Sequence, residues 1–252
     1  MTCVRDARPF ELGPVGGSGP ALLCLHGLTG SPYEVRPPAP LYEEHGIACV
    51  GPRLPGHESV EWLARTSRRE WVEYVLAAYD RLARTHSRVY ALGLSLGGVL
   101  ALRLGEEREV AGLLLLAAPI DLGRWYRTLI PIVSRVVSSV AKTPAIVDPE
   151  ARDAHPGLRR MPLRSVVELM RLQREVEGRL DRVRAPLRLL YSRRDPTVAV
   201  GDAQRIVRGA TQTRGEIEYL ERSGHVITVD LESDQVERWI VGSLLELEKR
   251  CG

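Results

Sequence analysis

The segment around Ser95 constrains the fold more than any other part of the chain. It reads Gly-Leu-Ser-Leu-Gly over residues 93–97, which fits the pattern G-x-S-x-G. An apolar run at residues 89–94 precedes the serine, and a helix-forming stretch follows at residues 96–104. A tight turn between a strand and a helix needs flanking residues without side chains, and the two glycines supply them. The pattern therefore predicts that Ser95 projects from the end of a buried strand, at the start of a helix.

Apolar runs alternate with amphipathic stretches along the rest of the chain. A capping box, Ser67-Arg-Arg-Glu70, opens one predicted helix. Alternation of this kind predicts an α/β fold with a mostly parallel sheet of about seven strands flanked by helices. The glycine-rich turn at residues 14–20 also favours a hairpin between residues 9–12 and the first buried strand. The other predicted strands are residues 21–26, 47–50, 110–117, 187–192 and 216–220.

Residues 118–186 are too long for a simple connection between two strands. A crossover helix leaves about 50 of them unexplained. They include an almost wholly apolar stretch at residues 125–140, with a kink expected at Pro131, and a second helix at residues 162–176. We therefore expect a single domain over residues 1–252, with an inserted helical cap and crossover region at residues 120–184. Packing of the apolar helix into the core is the alternative.

Composition and charge exclude several classes of protein. The net charge is +3, and the 35 basic residues are interleaved with acidic ones without long blocks of like charge, so no nucleic-acid partner is expected. The longest uncharged apolar run, residues 110–120, is too short to span a bilayer. The first twenty residues lack the apolar block of a secretory signal. The four cysteines form no C-x-x-C pair and indicate reduced thiols, so a cytoplasmic location is expected.

An activated serine needs a base and an acid that orients the base. Among the six histidines, His225 follows the last predicted strand and precedes the last helix, which is where catalytic residues gather in open α/β sheets. Asp195 follows the strand at residues 187–192 on the same edge. Asp121 also ends a strand and stays an alternative, whereas Asp202 falls in the first turn of a helix. The order Ser95, Asp195, His225 is that of the α/β-hydrolase triad.

Stabilisation of an oxyanion needs two hydrogen-bond donors near the serine. The backbone N–H of Leu96 is one candidate, since it lies at the N-terminus of the following helix. The loop HGLTG at residues 26–30 offers the N–H of Leu28 as the second. The alternative, a phosphate-binding loop, is disfavoured because the Gly-Lys-Ser/Thr of a Walker motif is absent. No metal is expected, because no two His or Cys residues have metal-ligand spacing on one element.

Three segments together resemble the α/β-hydrolase superfamily, and more closely the small bacterial carboxylesterases related to monoacylglycerol lipases. They are HGLTGSP at residues 26–32, ALGLSLGG at residues 91–98 and SGHVITVDLESDQV at residues 223–236. The resemblance implies the Ser95–His225–Asp195 triad, a short cap that lines an acyl pocket, and no cofactor. The chain departs from the family at Leu28, where phenylalanine is usual, and at three prolines where the family runs a helix: Pro37, Pro38 and Pro40.

The expected activity is hydrolysis of carboxylic esters with short-to-medium or monoacylglycerol-type acyl chains, through an acyl-enzyme. The expected partner is a small hydrophobic ester, and the chain is expected to be a monomer or a homodimer. Thioester, amide, acyl-transfer and C–C bond chemistry on the same triad remain alternatives, as does a non-catalytic scaffold that binds a ligand. The candidate substrate-binding residues are the apolar ones of the cap: Trp125, Tyr126, Ile130, Val133 and Val137.

Overall fold

A seven-stranded sheet forms the centre of the folded protein. The computed structural model describes residues 6–121 and 123–251. The strands are β1 (Phe10–Leu12), β2 (Ala21–Leu25), β3 (Ala48–Gly51), β4 (Val89–Leu94), β5 (Gly112–Leu116), β6 (Ser139–Ala141), β7 (Arg160–Pro162), β8 (Leu187–Ser192) and β9 (Gly215–Leu220). The sheet order is β1-β3-β2-β4-β5-β8-β9; β1 is antiparallel to its neighbour and the other adjacent pairs are parallel. The predicted mostly parallel sheet is thereby confirmed.

The predicted hairpin at the N-terminal end is wrong. β1 pairs with β3, with Phe10 opposite Gly51 and Leu12 opposite Cys49. Strand β2 is fully buried and already has a parallel neighbour on each side, β3 and β4. Because both edges of β2 are occupied, β1 cannot pair with it, and β1 instead joins the sheet at the free edge of β3.

Helices cover both faces of the sheet. The capping box at Ser67 opens the third helix, as predicted, and Pro38 is the N-cap of the first, which delays its start. The helices are α1 (Ala39–Glu43), α2 (Val60–Leu63), α3 (Arg68–Ala83), α4 (Leu96–Glu107), α5 (Arg124–Val133), α6 (Pro149–Ala154), α7 (Leu163–Glu177), α8 (Gly201–Gly209) and α9 (Ser233–Cys251). None of the helices in the described ranges is long and apolar enough to cross a membrane.

Side chains alternate along each buried strand and so build two cores. From β2, Leu23 and Leu25 pack with residues of α3, α4, α7 and α8 on one face. Leu22 and Cys24 point to the opposite face, where α9 packs. Cys24 and Cys49 are buried free thiols in this second core, consistent with the expectation of reduced cysteines.

The segment between β5 and β8, residues 117–186, is called the insert below. It contains α5, α6 and α7, and its strands β6 and β7 pair with each other outside the main sheet. The long apolar helix that the sequence predicts over residues 125–140 is shorter: α5 ends at Val133, and β6 follows. The residues after α5 are rich in valine, whose branched β-carbon disfavours a helix and suits a strand.

The order in which successive strands are added to the sheet reverses at β2. The chain passes from β2 to β3 on one side, then crosses to β4 on the other. The carboxyl ends of β2 and β4 are level, because Leu25 lies opposite Gly93. Open α/β sheets hold their ligands in the crevice at such a reversal, beyond the carboxyl ends of the strands. The segments that follow β2 and β4 are the loop at residues 26–30 and the turn at Ser95.

Candidate active site

Ser95 stands on a sharp turn between β4 and α4. Its backbone has φ 55° and ψ −117°, a conformation that costs on the order of 1–3 kcal/mol for a residue with a side chain. A Cβ on Gly93 would overlap the backbone of Gly97, and one on Gly97 would overlap the carbonyl of Leu25. The Ser95 N–H donates to the Leu116 carbonyl at 2.9 Å, which ties the turn to β5. The two glycines are therefore required for the strand and the helix to approach.

The structure brings Ser95, His225 and Asp195 together in one chain of hydrogen bonds. His225 Nε2 lies 2.9 Å from Ser95 Oγ, and His225 Nδ1 lies 2.7 Å from Asp195 Oδ2. The second carboxylate oxygen of Asp195 accepts from the N–H groups of Thr197 and Val198, at 2.7 and 3.0 Å. A carboxylate can only accept from Nδ1, so the hydrogen of the neutral ring is on Nδ1 and Nε2 can accept from the serine hydroxyl.

Two buried carboxylates hold the loop that carries His225. Asp230 accepts from the Gly224 N–H at 2.6 Å, and Glu232 accepts from the N–H and the hydroxyl of Ser223. Burial alone would raise the pKa of Glu232, but the hydrogen bonds of Ser223 and the Arg222 N–H lower it. Sequence reasoning missed both carboxylates as supports, although they lie within the SGHVITVDLESDQV segment.

The alternative acids have other partners. Asp121 Oδ1 lies 3.5 Å from Arg127 Nε, and Asp121 Oδ2 lies 3.3 Å from Arg205 Nη1. Asp202, in the first turn of α8, accepts from the Ile120 N–H at 2.9 Å and so holds the segment that follows β5. Among the carboxylates of the described residues, the one in hydrogen-bond contact with His225 is that of Asp195.

The loop after β2 lies directly against Ser95. A Cβ built on Gly27 would be 3.5 Å from the Cβ of Ser95. The Gly27 carbonyl accepts from the Gly30 N–H at 3.0 Å and from His26 Nδ1 at 2.9 Å. His26 Nε2 in turn accepts from the Leu54 N–H, so the ring is neutral, and burial lowers its pKa. These bonds fix the peptide that carries the Leu28 N–H.

The two predicted oxyanion donors are available in this arrangement. Leu96 is the first residue of α4, and Leu28 follows the fixed Gly27 carbonyl. Neither N–H has an acceptor among the residues that the structure describes. Both N–H groups can therefore donate to a bound group.

A cavity of about 400 Å³ opens above Ser95. Its apolar wall comes mainly from the insert, and Ile130 lines it as the sequence predicts. Val133 and Val137 lie outside the lining, because they stand where the chain passes from α5 to β6 and their side chains are partly exposed to solvent. The side chains of Trp125 and Tyr126 lie outside the described part of the structure. Sequence reasoning missed other apolar residues of this wall, among them Met161 on β7. Three more follow helical spacing on α7: Leu163, Val166 and Leu169.

The cavity also has polar lining residues, which sequence reasoning missed. They include Glu34, Lys142 and Thr143. Glu34 accepts from the Gly27 N–H at 3.0 Å, and its other oxygen lies 2.9 Å from His155 Nε2. Burial alone would raise the pKa of Glu34, but the hydrogen bond of His155, together with the charge of Lys142, lowers it to about 2. Glu34 is therefore a buried carboxylate that stays ionised.

Glu34→Gln should make stability less dependent on acid pH. A carboxyl group whose pKa falls from 4.5 to about 2 on folding stabilises the protein above about pH 5. This contribution is lost as the pH falls toward 2. We expect the variant to lose on the order of 1–3 kcal/mol of unfolding free energy at pH 7, with a smaller deficit at pH 3. Urea unfolding at both pH values checks this, with the exposed Glu44→Gln as control; a deficit independent of pH would contradict it.

No group of three or more His, Cys, Asp and Glu side chains that could hold a metal ion is found within residues 6–121 and 123–251.

Comparison with known proteins places the chain in one family. The model of the alpha/beta hydrolase family matches residues 22–239. A thermostable monoacylglycerol lipase of Bacillus sp. is 31% identical over 243 residues, which are 92% of either chain. A carboxylesterase of Bacillus subtilis is 27% identical over 250 residues, which cover 97% of this chain and 99% of the relative.

Solved structures show the same fold at lower identity. A chain from the work on LipS and LipT, two metagenome-derived lipolytic enzymes, superimposes with a TM-score of 0.86 at 23% identity, covering 96% of this chain and 98% of that one. The monoacylglycerol lipase of Paleococcus ferrophilus superimposes with a TM-score of 0.73 at 16% identity, over 96% and 99% of the two chains. Together with the family match over most of the chain, these findings show that the protein belongs to the alpha/beta hydrolase family.

Proposed function

We propose that the chain is a serine hydrolase of carboxylic esters in which Ser95 is the nucleophile, His225 the general base and Asp195 the acid that orients the base. The observation that carries the proposal is the continuous line of hydrogen bonds from Ser95 Oγ through both ring nitrogens of His225 to Asp195. The relatives named carboxylesterase and monoacylglycerol lipase support ester cleavage as the reaction.

The reaction follows from the positions of these groups. Ser95 Oγ attacks the ester carbonyl carbon while His225 Nε2 takes the hydroxyl proton, and the carbonyl oxygen becomes an oxyanion. The C–O bond to the alcohol then breaks, and His225 returns the proton to the leaving alkoxide. Water adds to the acyl-enzyme through the same base and releases the acid. Asp195 holds the ring in the required tautomer and stabilises the imidazolium.

The oxyanion is held by the backbone N–H groups of Leu28 and Leu96. Both lie beside Ser95, and the N-terminus of α4 adds the positive end of its dipole. Donors fixed in advance toward the developing charge cost no reorganisation during the reaction. In enzymes of this type, one such donor is worth about 10²–10³ in kcat.

The insert acts in this proposal as a cap over an acyl-binding pocket. The apolar wall formed by Ile130 and α7 suits a fatty acyl chain, whereas the polar wall near Lys142 and Thr143 suits the alcohol portion. The substrate class is accordingly esters of short-to-medium acyl chains, including monoacylglycerols. Thioesters and amides would use the same residues and become the leading class if no ester is hydrolysed.

Chain-length preference tests the pocket. With p-nitrophenyl esters from acetyl to palmitoyl, we expect activity to peak at one length, and Val166→Trp to move the peak to shorter chains because the indole fills the cavity. Val167→Trp is the matched control, since the neighbouring Val167 lies outside the cavity lining. An unchanged peak in Val166→Trp would contradict the assignment of α7 to the acyl site, and no turnover of any ester would contradict ester hydrolysis itself.

We also propose a type of partner, a compartment and an oligomeric state for the protein. The mixed surface charge favours small-molecule substrates over nucleic acid, and the two buried free thiols suit a reducing compartment such as the cytoplasm. Monomer and homodimer are both compatible with the proposed reaction, because Ser95, His225 and Asp195 come from one chain.

A further inference from the structure

The insert contacts the loop that carries the Leu28 N–H as well as lining the cavity. Lys142 Nζ donates to the Leu28 carbonyl at 3.3 Å and also to the hydroxyl of Thr29. The Leu158 N–H donates to the Thr29 carbonyl at 2.8 Å. Both donors come from the insert, more than 100 residues further along the chain. The insert, which lies outside the main sheet, thus holds this loop through hydrogen bonds.

A second connection runs through Glu34. The Gly157 N–H donates to His155 Nδ1 at 3.1 Å, so the hydrogen of this ring is on Nε2, and Nε2 lies 2.9 Å from a carboxylate oxygen of Glu34. Glu34 in turn accepts from the Gly27 N–H. The insert therefore contacts the loop on both sides of the Leu28 N–H. Lys142 holds the Leu28 carbonyl and the Thr29 hydroxyl, and His155 is linked to the Gly27 N–H through its contact with Glu34.

The loop needs such support because its backbone is strained. Thr29 has φ 64°, in the left-handed region that residues with a branched side chain rarely occupy. That conformation costs on the order of 1–3 kcal/mol and persists only where neighbouring groups hold it. The contacts of Thr29 with Lys142 and Leu158 come from outside its own loop.

Lys142 is chemically distinct from the other cations of the chain. The sequence has 35 basic residues, of which two are lysines, Lys142 and Lys249. An ammonium is compact and can direct its donors to a carbonyl and a hydroxyl at once, whereas a guanidinium is a wide planar fork. Burial lowers the pKa of Lys142, and the negative charge of Glu34 opposes that shift. The compact ammonium of Lys142 thus lines the cavity and donates to two neighbouring groups of the loop, the Leu28 carbonyl and the Thr29 hydroxyl.

We propose that Lys142 is a positioning residue for the oxyanion hole, holding the Leu28–Thr29 backbone so that the Leu28 N–H stays directed at the reacting carbonyl oxygen. The inference rests on the proposed ester hydrolysis. The insert is then part of the catalytic apparatus, because it sets the geometry of a donor that lies on the sheet side of the crevice. Loss of this support affects the transition state more than substrate binding, since the oxyanion develops only in the transition state.

The test compares Lys142→Met with Lys249→Met. Methionine keeps the length of the side chain but donates no hydrogen bond, and the exposed Lys249 lies on α9, away from the crevice. With p-nitrophenyl butyrate we expect Lys142→Met to lower kcat about 10–100-fold, while KM stays within about threefold. Lys142→Arg, which restores a donor, should recover part of the loss. Lys249→Met should match the wild type.

Hydrogen exchange tests the same inference without relying on activity. We expect the backbone amides of residues 27–31 to exchange about tenfold faster in Lys142→Met, with unchanged exchange in β5 and β8 and no change in Lys249→Met. Should Lys142→Met fail to fold, Lys142→Leu, which also lacks a donor, takes its place with the same expected direction.

The outcomes separate this inference from the proposed function. A wild-type protein that hydrolyses no ester overturns the function, while faster loop exchange in Lys142→Met would still support the positioning role. Unchanged kcat together with unchanged exchange in the variant overturns the positioning role alone. A raised KM with an unchanged kcat also overturns it and assigns Lys142 to substrate binding instead.

Discussion

Ser95→Ala is expected to abolish ester hydrolysis while the protein stays folded. Removal of Oγ removes the atom that forms the acyl-enzyme, and the remaining donors and base cannot replace it, so kcat should fall by about 10⁴–10⁶. Alanine occupies the same backbone conformation at a similar cost, so the unfolding free energy should change by less than about 1 kcal/mol. Turnover of p-nitrophenyl butyrate, covalent labelling by a fluorophosphonate and urea unfolding measure the three consequences.

A second serine serves as the control for the effect of Ser95→Ala. Ser18 is exposed in the loop before β2, and Ser18→Ala should leave both turnover and labelling at the wild-type level. Retained turnover in Ser95→Ala would place the nucleophile elsewhere. Labelling of Ser95 in a wild-type protein without ester turnover would indicate a reactive serine that acts on another acyl class.

Asp195→Asn should have the second largest effect, a fall in kcat of about 10⁴-fold with an intact fold. The carboxamide can present its NH₂ group to His225 Nδ1, which favours the tautomer with the hydrogen on Nε2. That tautomer cannot accept the proton of Ser95, although the 2.9 Å approach to Nε2 remains possible. The variant also loses the negative charge that stabilises the imidazolium.

Asp202→Asn is the control for this prediction, because Asp202 is also buried and lies near the same edge of the sheet. Its partners are the Ile120 and Asp121 N–H groups, and the oxygen of an asparagine can still accept from them. Burial raises the pKa of Asp202, so a neutral side chain is tolerated there. We expect kcat within about threefold of the wild type. Equal losses in Asp195→Asn and Asp202→Asn would overturn the assignment of the orienting acid.

The local pattern of the chain was enough to predict most of the sheet. Buried parallel strands are apolar on both faces, so β2, β4, β5 and β8 stand out as short apolar runs between polar segments. The turn at Ser95 is equally local, since its two glycines and its serine lie within five residues. The partner of β1 was not predictable, because strand pairing depends on which edges remain free after the sheet has assembled.

What the sequence by itself determined is the set of strands, the turn at Ser95 and the order of the candidate catalytic residues along the chain, since each rests on neighbouring residues. Only the tertiary structure decided which side chains line the cavity and how the oxyanion loop is held. Lys142 and Thr29 are separated by 113 residues, and no local periodicity links them. Their contact depends on how the insert folds back over the sheet, where burial and hydrogen bonding between distant segments are optimised together.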